Sequence, residues 1–289
     1  MSELAKRVIT ALVLAPVALG VIYLGGLPLA TFLAAVSVGC AWEFFRLARQ
    51  TGVDPLDPLG LPLAGAIPLA VYAAAAGLYT PSLAVPAVAM LTILSAVIWV
   101  RGTAGRPIGA AAATVLGALY SGGLLSFGYA LREHPYAVGD RAGTALVAFP
   151  LVLTWASDIG AYAVGRTIGG RKLIPSVSPG KTVAGALGGL VVTVIAAWAY
   201  ARFVLTPTAL LTMSVQGAMV FGAIISVAAQ VGDLTESLFK REANMKDSSR
   251  LIPGHGGLLD RLDSLLFVLP VAYLLFDWLL IPAAGAHGQ

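Results

Sequence analysis

The sequence predicts an all-α polytopic membrane protein with about nine transmembrane helices, a cytoplasmic N-terminus and a C-terminus outside. Of its 289 residues, 58% are hydrophobic and 11% are charged, against about a quarter charged in soluble domains. The mean hydropathy is +0.87, and apolar stretches of about 17 to 25 residues, long enough to cross a bilayer as helices, recur along the chain. These observations exclude an ordinary soluble protein, because too few polar side chains remain to cover a surface in water.

Nine apolar stretches are the predicted spans. The first follows a basic start that lacks a small-residue cleavage site, so we interpret it as a retained span and not as a signal peptide. Gly and Pro at 25–28, 54–58 and 80–82 separate the first four spans, and charged segments separate most of the others. The spans cover residues 8–24, 27–45, 59–79, 83–100, 108–131, 144–165, 183–204, 211–232 and 264–281.

The basic residues predict the orientation. With nine spans and the N-terminus inside, only Arg132, Arg141 and Arg202 of the 18 Lys and Arg residues lie outside, as the positive-inside rule requires. The membrane therefore explains the net charge of +4, and nucleic acid is not an expected partner. The remaining fifteen basic residues are cytoplasmic: Lys6, Arg7, Arg46, Arg49, Arg101, Arg106, Arg166, Arg171, Lys172, Lys181, Lys240, Arg241, Lys246, Arg250 and Arg261.

The domain organisation is predicted to be a single membrane domain over residues 1–289, since no fixed-period repeat or long linker interrupts it. Within it, residues 1–150 form the N-terminal spans, 151–282 the catalytic spans and cytoplasmic loops, and 283–289 a tail. The lone Cys40 excludes an intrachain disulfide and a cysteine metal site. The Ala- and Gly-rich composition suggests a bacterial inner (plasma) membrane.

The segment 233–263 concentrates the chemistry, with 11 of the chain's 32 charged residues. A solvated loop is the simple interpretation, and three features favour a site. Asp233 directly follows the eighth predicted span, where a helix C-terminus disfavours a carboxylate without a cation. Pro253-Gly254-His255-Gly256-Gly257 is a tight turn whose N–H groups could approach an anion. Asp260 and Asp263 lie three residues apart, on one face if helical.

Carboxylates with little histidine are the hard oxygen ligands that suit magnesium, particularly when substrate phosphates complete the coordination. Neighbouring lysines and arginines would hold phosphate charge. The pattern therefore predicts phosphoryl or nucleotidyl transfer at the cytoplasmic interface. His255 is interpreted as binding phosphate, orienting the turn or assisting proton transfer.

A second polar group begins at Asp158, an ionisable residue inside the sixth predicted span. Such a residue is costly in a membrane and is by default a functional candidate, with a structural ion pair as the alternative. The same group contains Tyr162, Gly165, Arg166, Arg171, Lys172, Ser178, Lys181 and Thr182.

The signature around these residues closely resembles that of the phosphatidate cytidylyltransferases, or CDP-diacylglycerol synthases. The resemblance covers roughly residues 155 to 265, and the N-terminal half is similar only as hydrophobic spans. One residue departs from the family pattern: Ala184 precedes Gly185 where the family usually has a glutamate. The resemblance rests on Asp158-Ile159-Gly160-Ala161-Tyr162, Gly165-Arg166, Ser178-Pro179-Gly180-Lys181-Thr182, Ser237-Leu238-Phe239-Lys240-Arg241, Lys246-Asp247, Pro253-Gly254-His255-Gly256-Gly257 and Asp260-Arg261-Leu262-Asp263.

The resemblance implies transfer of CMP from CTP to phosphatidate, giving CDP-diacylglycerol and pyrophosphate in phospholipid biosynthesis. It also implies a magnesium requirement, often with potassium, an association with membrane lipid and a homodimer. Asp233 and Asp260 correspond to the family's metal-binding carboxylates. The candidate catalytic residues are Asp233, Asp260, Lys240, Asp247, His255 and Asp263, and the candidate substrate-binding residues are Lys240, Arg241, Lys246, Arg261, Asp158, Arg166, Ser178, Lys181 and Thr182.

Three alternatives stay open at this point. A polyprenol or phytol kinase would also use CTP in a membrane, but would release CDP. A transporter would show midplane charges and paired broken helices in two related halves, whereas here the charges lie at one cytoplasmic edge. A catalytically silent scaffold would have to keep the dense Asp, Lys and Arg signature without using it.

Overall fold

The chain is mostly helical in the computed structural model, which describes residues 3–252, 254 and 256–283, with the backbone alone for 3–11 and 13. Two π-helical turns join helices end to end, Leu119–Gly123 between α5 and α6 and Ala201–Leu205 between α8 and α9. The helices are α1 (Glu3–Leu24), α2 (Gly26–Gln50), α3 (Asp57–Ala75), α4 (Ala84–Val100), α5 (Pro107–Ala118), α6 (Leu124–Arg132), α7 (Gly139–Ile168), α8 (Val183–Tyr200), α9 (Thr206–Ala209), α10 (Val215–Glu242) and α11 (Leu259–Leu279).

Two short antiparallel β-ladders accompany the helices. Strands β1 (Lys172–Ile174) and β2 (Ser178–Thr182) form a hairpin between α7 and α8. Strands β3 (Leu211–Thr212) and β4 (Ile281–Pro282) pair beyond the ends of α9 and α11. The ladders satisfy backbone groups of the connections and do not change the all-α class.

Helices occur at all nine predicted span positions. In the described part of the chain, seven continuous helical segments are long and apolar enough to cross a membrane, and two shorter apolar helices cover Leu14–Leu24 and Ala84–Val100. The polytopic α-helical class is confirmed, while the count of nine and the orientation of the termini stay predictions. The seven segments are Gly26–Gln50, Asp57–Ala75, Pro107–Arg132, Gly139–Ile168, Val183–Ala209, Val215–Glu242 and Leu259–Leu279.

The eighth predicted span has the wrong limits. Its helix, α10, begins at Val215 and continues to Glu242, ten residues beyond the predicted end at Gly232. The inference that Asp233 lies at a helix C-terminus is therefore wrong. The hydropathy signal ends at Gly232 because the following turns are polar, but the backbone stays helical through them. Lys240 and Arg241 lie in the last turn, where positive charges are favourable at a helix C-terminus.

The chain divides into two compact units. Unit 1 comprises residues 1–129 and 239–262, and unit 2 comprises residues 130–238 and 263–289. Both units therefore draw on both halves of the sequence, and α10 and α11 each contribute residues to both. The predicted single membrane domain, with internal limits at 150 and 282, stays a prediction, and most of the predicted tail lies outside the described residues.

Unit 1 is packed around aromatic side chains of α2. Phe44 lies 5.9 Å from Tyr120 and 5.6 Å from Phe239, measured between ring centroids. Phe45 is fully buried, and a Cβ at Gly60 would lie 2.5 Å from its ring. This packing holds the last turn of α10 against α2, and so gives the residues after Phe239 a fixed base.

Unit 2 has a stacked aromatic core contributed by four helices. The ring of Phe149 lies 4.5 Å from Tyr200 and 4.8 Å from Phe221, and Phe221 lies 5.4 Å from Phe276. Offset and tilted rings at these separations are favourable arrangements for aromatic pairs. The core fixes α7, α8, α10 and α11 beside one another within the unit.

Candidate functional site

Unit 2 contains a cavity of about 520 Å³ at one end of α7, α8 and α10. Lys181 Nζ lies 2.5 Å from Asp233 Oδ2 in an ion pair at the cavity wall. Ser237 Oγ, one turn further along α10, lies 3.3 Å from Asp233 Oδ1 and donates a hydrogen bond to it. We call this the unit 2 cavity, and it is lined by Asp158, Ala161, Tyr162, Gly165, Arg166, Leu173, Gly180, Lys181, Thr182, Gly185, Ala186, Gln230 and Asp233.

The hairpin brings Lys181 to this cavity. Thr182 ends β2 and caps α8, because its Oγ1 accepts a hydrogen bond from the N–H of Gly185 at 3.0 Å. A Cβ at Gly185 would lie 2.7 Å from the carbonyl oxygen of Ala161, so α7 and α8 approach closely there. Small residues permit such close approach of membrane helices, and the backbone on both sides of Lys181 is consequently held in place.

Two cations and one carboxylate of the predicted second polar group share the unit 2 cavity with Asp233, which was predicted in the other segment. Arg166 donates a hydrogen bond of 2.7 Å to the hydroxyl of Tyr162, one turn earlier on α7. Asp158 lies one turn before Tyr162 on the same helix and lines the same cavity. Ser178 instead lies beside the hairpin turn, opposite Ile174. The structure therefore brings Asp158, Arg166, Lys181 and Thr182 together with Asp233, and places Ser178 at the other end of β2.

Unit 1 holds a second site around Asp260, in the first turn of α11. Lys240 Nζ lies 2.7 Å from Asp260 Oδ1, and both side chains are largely buried. Asp260 Oδ2 accepts hydrogen bonds from the N–H of Ser248 at 3.0 Å and of Gly257 at 2.8 Å. The carboxylate also lies in the first turn of its own helix, where a negative charge is favourable.

Glu43 of α2 completes this second site. Its side chain is fully buried and accepts hydrogen bonds from the hydroxyls of Ser248 at 2.8 Å and Ser249 at 2.5 Å. It also accepts from the N–H groups of Leu258 at 2.8 Å and Leu259 at 2.7 Å. Ser248 Oγ is 3.0 Å from Asp260 Oδ2 as well, so one hydroxyl links the two carboxylates. We call Glu43, Lys240, Ser248, Ser249 and Asp260 the unit 1 polar cluster.

The other predicted residues of unit 1 lie outside this cluster. Lys246 and Asp247 are exposed in the loop after α10, and Arg241 and Arg261 are exposed on the ends of α10 and α11. Asp263 belongs to unit 2, where its carboxylate accepts a hydrogen bond from the N–H of Ser264. His255 and Pro253 lie outside the described residues, so the three roles considered for His255 stay predictions.

Sequence reasoning missed Glu43, Ser248, Ser249 and Gln230. The signal for Glu43 was present, because it is the only charged residue in the second predicted span and the argument applied to Asp158 applies to it equally. The partners of Glu43 lie 205 to 216 positions away in sequence, so spacing alone does not connect them. Gln230 lies one turn before Asp233 and donates to the carbonyl oxygen of Ala186 at 3.2 Å.

Among the described residues, no group of three or more His, Cys, Asp or Glu side chains is arranged to hold a metal ion. The predicted magnesium ligands differ in how well they fit. Asp233 faces a cavity, and its partners are one lysine and one serine hydroxyl that a metal could displace. Asp260 is buried and has ammonium, amide and hydroxyl partners, so metal binding there must displace Lys240 or Ser248. A metal shared by Asp233 and Asp260 stays a prediction.

The fold and these sites together define an α-helical polytopic membrane protein with carboxylates, lysines and an arginine gathered at the ends of apolar helices, a make-up suited to anionic substrates. The chain belongs to the cytidylyltransferase family, whose sequence pattern matches residues 5–279. The family predicted from the signature is thereby confirmed, and the similarity extends through the N-terminal half, where sequence reasoning had found only hydrophobic spans.

Two bacterial relatives are similar over almost their whole length, and a third is similar over about half of it. A phosphatidate cytidylyltransferase of Pseudomonas aeruginosa is 36% identical over 288 residues, covering 93% of this chain and 95% of that protein. One of Bacillus subtilis is 31% identical over 278 residues, covering 95% and 98%. One of Haemophilus influenzae is 43% identical over 140 residues, a match that spans 48% of each chain.

Proposed function

We propose that the protein is a CTP:phosphatidate cytidylyltransferase that acts at the cytoplasmic membrane surface and produces CDP-diacylglycerol and pyrophosphate. The observation that carries the proposal is the unit 2 cavity, where Lys181 and Arg166 lie beside two carboxylates at the end of apolar helices. A phosphorylated lipid needs such a mixed environment, since its headgroup is anionic and its chains are apolar. The relatives' names supply the particular substrates.

The reaction needs alignment and charge neutralisation more than proton transfer. An oxygen of the phosphatidate phosphate attacks the α-phosphorus of CTP, the bond from that phosphorus to the bridging oxygen breaks, and pyrophosphate leaves. A phosphate monoester has a second pKa of about 6 and is largely ionised near neutral pH, so a general base is not required. In this proposal Lys181 and Arg166 hold phosphate oxygens and oppose the negative charge that grows on the leaving group.

The residues of unit 1 have a related role in the proposal. Lys240 bridges the end of α10 and the start of α11 through Asp260, so its ammonium group is held at a defined point. The exposed Arg241, Lys246 and Arg261 are proposed to attract the anionic substrates from solution. Asp247 is proposed as an auxiliary base only, because the lipid phosphate is already ionised.

Magnesium is the proposed cofactor, with potassium as a second ion. Asp233 is the better-fitting ligand, and Asp260 is the second proposed ligand. When bound, the ion would supply positive charge to the triphosphate. Lys181 Nζ lies beside Asp233 Oδ2 at the wall of the unit 2 cavity, so a metal bound there would share this carboxylate with the lysine or displace the lysine from it.

The cellular setting is proposed from charge and composition. The asymmetry of fifteen basic residues against three supports an N-terminus in the cytoplasm and an active site on that side. The relatives are bacterial proteins, which supports a bacterial inner membrane. A homodimer is part of the proposal because the family resemblance implies one.

Product analysis tests the activity. The full-length chain, purified in detergent, is incubated with labelled CTP, phosphatidate, magnesium and potassium, and the products are separated by chromatography. We expect CDP-diacylglycerol and pyrophosphate in equal amounts. CDP together with a phosphorylated lipid alcohol would instead identify a kinase, and absence of both products would overturn the enzymatic proposal.

A pair of aspartate variants tests the site. Asp233→Asn removes a charge from the unit 2 cavity and should reduce the rate at least about 100-fold, the order of effect of misaligned reacting groups. Asp140→Asn is the matched control, since Asp140 is exposed at the start of α7 and pairs with Arg132. Wild-type turnover in Asp233→Asn would contradict its assignment.

A further inference from the structure

We propose that Glu43 is a positioning residue that fixes Asp260, and through it Lys240, by holding the middle of the loop that joins α10 to α11 together with the start of α11. The inference rests on the proposed function and extends it to a residue of α2, well before the signature in sequence. All the residues concerned belong to unit 1.

The carboxylate of Glu43 binds two separate stretches of the chain. Ser248 and Ser249, in the middle of the loop, donate hydrogen bonds to it from their hydroxyl groups. The N–H groups of Leu258 and Leu259 donate to it where the loop ends and α11 begins. The first N–H groups of a helix have no partner within the helix, so Glu43 acts as a helix cap supplied from elsewhere in the chain.

This arrangement also determines where Asp260 lies. Ser248 contacts Glu43 through its hydroxyl and Asp260 through its N–H and hydroxyl groups. A Cβ at Gly39 of α2 would lie 2.8 Å from Leu258 Cδ2, so the end of the loop is also packed against the helix that carries Glu43. Replacing Glu43 therefore removes the support of Asp260 but keeps both residues of the Asp260–Lys240 ion pair.

A buried carboxylate is costly unless hydrogen bonds compensate it. Glu43 accepts hydrogen bonds from four donors. Two of them are backbone N–H groups, which cannot turn away by a change of side-chain rotamer. Replacement by glutamine keeps the size of the side chain but exchanges one acceptor oxygen for an NH₂ group, which must then face donors. The stretch of chain that meets this NH₂ group should detach, while the core around Phe44 and Phe45 is kept.

Site-specific labels measure the loop directly. A nitroxide on Leu251→Cys reports on the loop, and one on Leu78→Cys reports on the segment of unit 1 between α3 and α4; both leucines are exposed. Cys40 is fully buried and should not be labelled. We expect Glu43→Gln to increase the mobility of the Leu251→Cys label and to leave the Leu78→Cys label unchanged.

The rate of cytidylyl transfer is measured on the same variants without labels. Glu43→Gln should lower kcat/KM about 100-fold, as for a displacement of about 1 Å in the site. Glu43→Asp, which keeps the acceptors on a shorter side chain, should recover part of the loss. Ser37→Ala is the control, because Ser37 is equally buried on α2 and its Oγ has no hydrogen-bond partner within the described residues.

Each outcome decides the proposal. Unchanged mobility of the Leu251→Cys label, or an unchanged rate, in folded Glu43→Gln protein would overturn it. Equal mobility changes at both labels would show a general structural role instead.

If Glu43→Gln does not fold, Ser249→Ala replaces it, with an expected loss of rate of about tenfold for one hydrogen bond to a charged group. If wild-type protein shows no cytidylyl transfer, the proposed function fails, while the label comparison still tests the support of the loop.

Discussion

Gly257 lies where the unit 1 polar cluster leaves no space for a side chain. A Cβ at this position would overlap Ser248 Oγ and lie 2.6 Å from Glu43 Oε2. The backbone N–H of the same residue donates to Asp260. Glycine is thus required here by close approach, in contrast to Gly254 and Gly256, which have positive φ angles.

We expect Gly257→Ala to reduce cytidylyl transfer at least about 100-fold, because the added methyl group separates Ser248 from Glu43 and moves Asp260. The measurement is the rate of CDP-diacylglycerol formation by purified protein. Gly20→Ala is the control, since a Cβ at Gly20 of α1 meets nothing within 4 Å. Equal rates in the two variants would show that the loop adapts and that its geometry is not needed.

Lys181 supplies the cation closest to Asp233 in unit 2. Lys181→Gln should lower kcat/KM by about 10- to 100-fold, the equivalent of about 1.5–3 kcal/mol for a hydrogen bond to a charged group. Lys172→Gln provides the comparison, because Lys172 is an exposed lysine on the neighbouring strand. Should both variants lose activity to the same extent, general attraction of anions would account for the effect and a specific role for Lys181 would be excluded.

At the scale of the elements, α7 and α8 depend on glycines at their contact. A Cβ at Gly188 would lie 2.5 Å from Val164 Cγ2, and a Cβ at Gly160 would lie 2.8 Å from Val192 Cγ2. The side chain of one helix therefore occupies the space above a glycine of the other. This contact supports the unit 2 cavity, because Thr182 and Gly185 lie at its end.

Gly188→Ala should destabilise the protein by about 1–3 kcal/mol, the usual cost of overpacking a well-packed contact. The apparent Tm in detergent, followed by loss of the monodisperse fraction on heating, measures the effect. Adding Val164→Ala to Gly188→Ala removes two of the three clashing atoms, Cγ1 and Cγ2, and keeps Val164 Cβ at 2.4 Å, so it should restore only part of the stability. A double variant no more stable than Gly188→Ala would place the strain elsewhere.

The helices were predictable from the sequence because hydropathy indicates which segments are apolar enough to lie in a lipid bilayer. It does not report where a helical backbone ends, so the polar turns of α10 beyond Gly232 were assigned to a loop. Thr182 was predicted as a substrate ligand, and the structure adds its role as the cap of α8. The hairpin around it contains Gly and Pro in a segment too short and polar for periodicity to be recognised.

The site was predictable where its residues form a compact signature and unpredictable where distant segments meet. Lys240 and Asp260 were both selected from the signature, but their ion pair depends on the fold. Glu43 was missed because its partners are brought to it only by the packing of α2 in unit 1. Residues that support a site from another element have no characteristic spacing in a single sequence.

At the scale of the whole molecule, His134 should make stability depend on pH. His134 belongs to the segment that connects α6 to α7. Its ring is buried, with Tyr136, Tyr273 and Phe276 around it. Nδ1 accepts from the N–H of Tyr136 at 3.3 Å, and Nε2 lies 3.4 Å from Asp277 Oδ1. Burial lowers the pKa of His134 below its usual 6.5, and the charge of Asp277 opposes this only in part.

A lowered pKa in the folded state means that the unfolded chain takes up the proton first as pH falls. The contribution of neutral His134 to stability is therefore complete above about pH 6.5 and is lost as pH falls from there towards the folded-state pKa. We expect the apparent Tm to fall more steeply between pH 7.5 and about pH 5.5 in wild-type protein than in His134→Asn, whose amide oxygen can replace Nδ1 as acceptor. The other two histidines are common to both proteins, so the difference isolates His134. Parallel Tm curves would show that His134 is protonated equally in the folded and unfolded states, contrary to the burial argument.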